Sequence, residues 1–287
     1  GMINNVKTFA SVLMPGVQHM RHTHLPEHKF VKGEPDTGVE MAEDLERIAM
    51  NFGGENIAAC IIEPIAGSTG TLVPPKGYLK RIRDICNKHG ILLIFDEVIT
   101  GWGRTGSAFA AQEWNVTPDI MTMAKATTNG VVPMGVVAVK EEIYDSVLDA
   151  SSAPEGTPEL FHGYTYSGIP VAVAAALAVQ DIFDKEDLIN RAKEMSPYFQ
   201  DGLHSLKDLK EIVSIRGYGM MGGIEINMKE KPGKAGYQVF KHCYDAGVNF
   251  KNTGDNLIIA PQFICEKKHI DEIIEKLRTG ISNYSKS

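Results

Sequence analysis

The segment Ile91-Leu-Leu-Ile-Phe-Asp96-Glu-Val98 is apolar until it meets a carboxylate, and the next strand-like run, Asp119-Ile-Met-Thr-Met-Ala-Lys125, is apolar until it meets an amine. Unbroken hydrophobic runs of this length read as parallel strands buried on both faces of a sheet. In open α/β sheets, ligands gather outside the carboxyl ends of such strands. Each terminal residue also has an ordinary explanation. Asp96 can be the polar end of a buried strand or an acid for a ribose hydroxyl, and Lys125 can be a solvated loop lysine. The pair outweighs its members because both flanks are unusual. Asp96 opens a glycine-punctuated loop that runs to Gly106, and Lys125 leads into Ala126-Thr-Thr-Asn-Gly130, which lacks helical periodicity.

An acid and an amine brought side by side suit an aromatic cofactor that needs one protonated ring nitrogen and one imine-forming amine. Pyridoxal 5'-phosphate is that cofactor. The rest of the first 140 residues supports the sheet. Glu40 to Phe52 is amphipathic, Ile57 to Ile62 reads as a strand, and Gly77 to His89 reads as a basic helix closed by Gly90. Gly135 to Lys140 is a further strand. Strands alternating with helices in this way define an α/β layer architecture. A helical region from Pro170 to about Ser205, with a break expected near Pro197, leads away from the sheet. Beyond it, Glu211–Ile215, Gly223–Ile226 and Leu257–Ala260 are short strands between helices, as in an α+β domain. The expected division is a large domain over 1–178 and a small C-terminal domain over 179–287.

Composition narrows the function classes. A net charge of −7 argues against a nucleic-acid or anionic-membrane surface. No apolar run approaches the roughly 20 residues needed to cross a bilayer. The longest, Val171 to Val179, is short and alanine-rich, and reads as a buried helix. Four scattered cysteines match neither a zinc site nor a disulfide framework, and no secretion signal is recognisable near the N-terminus, so a cytoplasmic location is expected. Gly217-Tyr-Gly219-Met-Met-Gly222 fits a dinucleotide fingerprint literally, but a strand-like segment follows where a helix is required. A strand turn with close backbone packing is the better account. His19, His22, His24 and His28 form a local cluster without metal-ligand spacing and read as a solvated loop.

The motifs Arg21-His-Thr-His-Leu-Pro26, Ile62-Glu-Pro-Ile-Ala-Gly-Ser68, Phe95-Asp-Glu-Val98, Gly101-Trp-Gly-Arg-Thr-Gly106 and His162-Gly-Tyr-Thr-Tyr-Ser-Gly168 together resemble the class III aminotransferases of fold type I, and within them the β-alanine (ω-amino acid):pyruvate branch. The likeness covers essentially the whole chain. It implies that Lys125 bonds the cofactor aldehyde and then moves protons, that Asp96 holds the ring nitrogen, and that Val98 contacts a ring face. Thr165 corresponds to a threonine that reaches a partner's cofactor phosphate, which implies a homodimer. Trp102, Ser68 and Lys251 fall at the substrate pocket. Relatives acting on ornithine or γ-aminobutyrate carry a gating glutamate where Ser68 stands, so a β-alanine-like donor amine and a pyruvate acceptor are expected. Lys251 replaces an arginine that clamps a substrate carboxylate, and a lysine offers no bidentate fork. Such relatives carry more than about a hundred residues before the position of Met2, including a phosphate cup at a helix N-terminus. The resemblance therefore implies an N-terminally truncated chain, incomplete in its large domain and weak in cofactor binding and turnover. An aminomutase, a decarboxylase or a non-catalytic dimeric fragment are the alternatives.

Overall fold

Leu93 and Phe95, alternate residues of the deciding strand, are fully buried, whereas Leu92, Ile94 and Asp96 point the other way and are partly exposed. A strand with side-chain period two sorts its residues between two faces in this manner. The computed structural model describes residues 3–151, 162–228 and 231–286. Most of the Ser/Pro/Glu/Gly-rich loop at 151–162 lies outside the described residues, as do Lys229 and Glu230 of the charged stretch.

In chain order the first part contains α1 (Ile3–Thr8), α2 (Glu43–Phe52), β1 (Ala59–Ile62), α3 (Tyr78–His89), β2 (Leu92–Asp96), α4 (Ala110–Glu113), β3 (Ile120–Met123), β4 (Val136–Val139) and α5 (Glu141–Ala150). The strands form a sheet in the order β1-β2-β3-β4, with β1, β2 and β3 parallel and β4 antiparallel to β3. α3 stops where the sequence says it must: Gly90 adopts φ 69°, and its N–H caps the Cys86 carbonyl. α2 begins in line with Glu43, Asp44 and Glu46, acids that complement the positive end of a helix. Leu45, Ile82, Ile85, Cys86, Leu93 and Phe95 close the core between these helices and one sheet face.

The expectation of strands buried on both faces is therefore corrected. Ile61 is 62% exposed and Val137 64%. No helix layer among the described residues covers that face, so its apolar side chains remain open. The Val171–Val179 helix is corrected for the same reason. It lies in α6 (Pro170–Lys185), where Ala172 and Ala176 are buried while Val171 and Leu177 are exposed.

The predicted helical break also moves. α6 ends at Lys185 and α7 (Leu188–His204) begins after Asp187, which sits at φ 49°. Pro197 stays inside α7. A proline there removes one bond, to the carbonyl four residues earlier. That carbonyl belongs to Lys193, an exposed residue, while Ala192, Phe199 and Leu203 keep the other face of the helix buried. The C-terminal part then runs β5 (Ile212–Tyr218), β6 (Met221–Ile226), α8 (Lys234–Asp245), β7 (Lys251–Thr253), β8 (Asn256–Ile259) and α9 (Lys267–Lys286). Its antiparallel sheet has the order β5-β6-β8-β7 and packs Ile215, Ile224 and Leu257 against Phe199, Leu203, Ile270 and Leu277. β7 is not legible in the sequence because Lys-Asn-Thr has no hydrophobic period. The chain is thus a mixed α/β structure, with a large sheet-and-helix domain followed by a smaller C-terminal sheet-and-helix domain.

Asp119 ties the large sheet together. Its Oδ2 accepts from the Leu93 amide and from Arg83, each at 2.7 Å, and its Oδ1 accepts from Lys140 at 2.7 Å. Burial opposes the charge, but Lys140, the Leu93 amide and Arg83 hold the carboxyl below its ordinary 3.8. Asp119→Asn should lower unfolding stability at neutral pH by about 2 kcal/mol, because the largely buried Arg83 cation then loses its partner. A group with a depressed folded pKa stabilises above its unfolded value and loses that contribution as pH falls through the folded one. Denaturant titrations at a series of pH values should therefore show the stability gap between the parent and Asp119→Asn closing in acid.

Candidate active site

Parallel pairing aligns the strand ends. Ile62 stands opposite Phe95, and Asp96 stands opposite Thr122. Glu63, Asp96 and, three residues beyond Thr122, Lys125 therefore leave adjacent strands at the same edge of the sheet. The Glu97 amide extends the ladder by donating to the Thr122 carbonyl at 2.9 Å.

The Asp96 carboxylate is oriented locally, since its Oδ1 accepts the Val98 N–H at 3.0 Å. β2 ends at Asp96, two residues before Val98, so strand alternation does not carry Val98 onto the face of Asp96. Val98 instead lies in the turn that fixes Asp96. Lys125 opens a short 3-10 turn, Lys125–Thr127, with φ 43°. A lysine in the left-handed region costs about 1–3 kcal/mol and persists only where its surroundings impose it. Those surroundings are identifiable. The Thr127 hydroxyl donates to the Ala124 carbonyl at 3.0 Å, and the Trp102 indole donates to that same hydroxyl at 3.0 Å. Trp102 is packed edge-on to Phe109, with ring centroids 5.2 Å apart. Its indole thus braces the Lys125 turn from behind.

Lys125 is exposed as a residue, but the chain around its amine still lowers the pKa from the ordinary 10.5. Burial is the largest cause and the Lys251 cation adds to it, while Asp96 and Glu63 oppose the shift. Lys251 comes from β7 of the smaller domain, and its amine donates to the Ser68 hydroxyl at 3.1 Å. Lys125, Asp96, Ser68 and Lys251 are thereby gathered in one place. Thr165 is not: it sits in an exposed turn, and no contact among the described residues joins it to Lys125 or Asp96.

Several supporting residues carry no role in the sequence reading. Glu97 is fully buried and accepts from the Ala110 amide (2.9 Å), the Ala111 amide (2.8 Å) and the Thr100 hydroxyl (2.7 Å). It closes the loop that contains Trp102. Arg104 donates to the Met220 and Pro261 carbonyls at 2.8 and 2.7 Å and lies 4.4 Å from the Phe263 ring centroid, with burial pushing its pKa down to about 10. It fastens the glycine-rich loop to the β5–β6 hairpin. That hairpin contains the literal dinucleotide match, and its glycines serve close packing. A Cβ on Gly219 would stand 2.3 Å from the Arg104 carbonyl oxygen. Arg216, also buried, donates to the Gly70 carbonyl at 3.0 Å and so fixes the Ser68 loop against the smaller sheet. Its neighbour His24 is held neutral, because burial and the Arg216 cation take its pKa down to about 4.

A family model described as aminotransferase class-III matches residues 3–281. The chain belongs to the class-III aminotransferases. It is similar to an omega-aminotransferase of Caulobacter vibrioides, with 48% identity over 97% of this chain and 63% of that protein. It is also similar to an omega-amino acid–pyruvate aminotransferase of Pseudomonas putida, with 42% identity over 96% of this chain and 61% of that protein. A solved transaminase bound to L-alanine superposes with TM-score 0.91 at 30% identity, covering all of this chain and 68% of the other. A thermostable omega transaminase mutant from Pseudomonas jessenii superposes with TM-score 0.89 at 27% identity, covering 100% and 64%. The aminotransferase chain thus spans about three-fifths of the length of the curated relatives it matches.

Because the Lys251 cation depresses the Lys125 amine, Lys251→Met should raise the apparent pKa of Lys125 and leave less free amine at a given pH. Competitive acetylation followed across pH, with the Lys125 peptide quantified by mass spectrometry, reads this directly.

Proposed function

We propose that this aminotransferase uses pyridoxal phosphate to move an amino group from an ω-amino acid or related amine, of the β-alanine type, to pyruvate. The observation that carries the reading is the placement of Asp96 and Lys125 on neighbouring strand ends, within a chain of this family. The donor and acceptor are supported by relatives named as omega-aminotransferase, omega-amino acid–pyruvate aminotransferase and beta-alanine–pyruvate aminotransferase.

The residues present fit the cofactor's ring and aldehyde. One oxygen of Asp96 is engaged by the Val98 amide, which leaves the other to face a protonated ring nitrogen. Lys125 carries an amine whose lowered pKa increases the unprotonated fraction that can bond a carbonyl carbon. When bound, the cofactor supplies the electron sink that makes the carbon bearing the donor nitrogen acidic. The protein's part is to move the proton: the Lys125 amine takes it from that carbon and returns it elsewhere as general base and acid. Ser68 and Lys251 face the substrate side. Their single hydroxyl and point charge suit a carboxylate or another polar tail without the selectivity of a bidentate clamp. Trp102 acts by holding the lysine turn.

A homodimer is part of the same proposal. Tyr164 and Tyr166, 80% and 77% exposed, flank Thr165, and the open sheet face and α6 present further apolar side chains. These exposed apolar side chains are the surface that a partner subunit would cover. In such an assembly the Thr165 hydroxyl is suited to donate to the phosphate of the partner's cofactor. A cytoplasmic setting is supported by four buried free cysteines. Among the described residues, no helix is long and apolar enough to cross a membrane.

Incubation with pyridoxal phosphate and reduction with borohydride should place one pyridoxyl group on Lys125. With β-alanine and pyruvate, alanine should form slowly, at the weak turnover expected of this chain, and with parallel-line kinetics. Lys125→Ala should abolish both, whereas Asp96→Asn should retain the adduct and slow turnover by about 100-fold or more, the scale expected when an electrostatic partner of the reacting system is lost. Adduct formation only on other lysines would contradict the assignment.

A further inference from the structure

The strand end next to Asp96 carries a second acid. Glu63 follows β1 directly, level with Asp96 across the parallel pair, so adjacent strand ends present carboxylate, carboxylate and amine in sequence: Glu63, Asp96, Lys125. Glu63 is partly buried. Its Oε2 accepts the Gly67 N–H at 3.0 Å, four residues along the loop. The Gly67 carbonyl in turn accepts from the Gly70 and Thr71 amides at 3.1 and 3.0 Å, which closes the loop into a compact turn. The next residue, Ser68, is the one that receives the Lys251 amine. A single carboxylate is therefore connected mechanically to the substrate-side pair and electrostatically to the lysine.

We propose that Glu63 is a positioning residue: its carboxylate holds the Ser68 turn in place, and its negative charge partly offsets the Lys251 cation at the Lys125 amine. The inference rests on the assignment of Lys125 as the reactive amine and adds the group that tunes it. Three charges face Lys125 from the elements around it: Asp96 at the end of β2, Glu63 at the end of β1, and Lys251 on β7. The two acids favour the ammonium and the cation disfavours it. The same arrangement acts back on Glu63. Burial and the neighbouring Asp96 charge raise its pKa, while the Gly67 amide and Lys125 lower it. An acid used only to cap a loop has no need to stand in this row, since a neutral side chain would accept the Gly67 N–H as well.

The test separates the charge from the hydrogen bond and needs no bound cofactor. Glu63→Gln retains an acceptor for Gly67 and removes the charge, whereas Glu63→Asp retains the charge on a shorter arm. Competitive acetylation of the 287-residue chain without cofactor, read at Lys125 between neutral and mildly alkaline pH, should be about two- to threefold faster in Glu63→Gln, less than a direct ion pair can give because Asp96 stands between the two groups. Glu63→Asp should stay within a factor of about 1.5 of the parent, well inside that effect. A purely structural role would leave Glu63→Gln, which keeps the acceptor, at the parent's rate and would move only Glu63→Asp, together with its thermal midpoint. Equal Lys125 reactivity in parent and Glu63→Gln, or a slower rate in Glu63→Gln, overturns the proposal. Because the readout is independent of transamination, it fails or succeeds separately from the assignment of activity.

Discussion

The parallel registration of β1, β2 and β3 is the constraint on which the site depends. Residues a strand apart in space but about thirty apart in sequence become neighbours only because Ile62 faces Phe95 and Asp96 faces Thr122. A one-residue slip would invert the alternation. Leu93 and Phe95 would leave the core, and Asp96 would turn into it as an unpaired carboxylate. The hydrophobic alternation of β2 therefore protects the position of the acid. Asp119 reinforces the same registration by binding the Leu93 amide, Arg83 and Lys140 at once.

Around this frame the molecule concentrates unusual backbone and buried polar groups near the strand ends that carry Asp96 and Lys125. Lys125 and Trp102 both occupy the left-handed region, at φ 43° and 61°. The indole of one supports the turn of the other. Glu97 and Arg104 anchor the intervening loop through main-chain groups, and neither is needed for the large domain's apolar core. Strain held in place by such networks is characteristic of sites that must present a side chain in one orientation. The smaller domain takes part through Lys251, and Arg216 secures the loop that meets it. Contact between Ser68 and Lys251 thus depends on both domains.

Much of this is legible in the residues. The apolar runs ending at Asp96 and Lys125, the Gly90 cap and the three short C-terminal strands are local patterns with a local cause. The motifs also identify the family. What escapes a reading of the sequence is set by tertiary context. α7 runs on through Pro197 because its buried face stays packed, while Asp187, an ordinary residue in sequence, takes the left-handed conformation that separates the helices. Val171–Val179 and the second sheet face stay open because hydrophobicity says that a surface needs cover and does not say which residues provide it. Val98 belongs to a turn, since the strand ends before it. Glu63 and Glu97 stand inside two of the quoted motifs, but strand-end alignment and burial, which become visible only in the fold, are what single them out.

If Asp96 and Lys125 act on a single aromatic ring, the acid must control the protonation of that ring's nitrogen. Nitrogen NMR of the chain carrying pyridoxal phosphate labelled with ¹⁵N in the ring tests this most directly. A pyridinium-type resonance is expected at neutral pH in the parent, and a neutral-pyridine resonance in Asp96→Asn. A ring nitrogen that is unprotonated in the parent, or indifferent to the substitution, would contradict it.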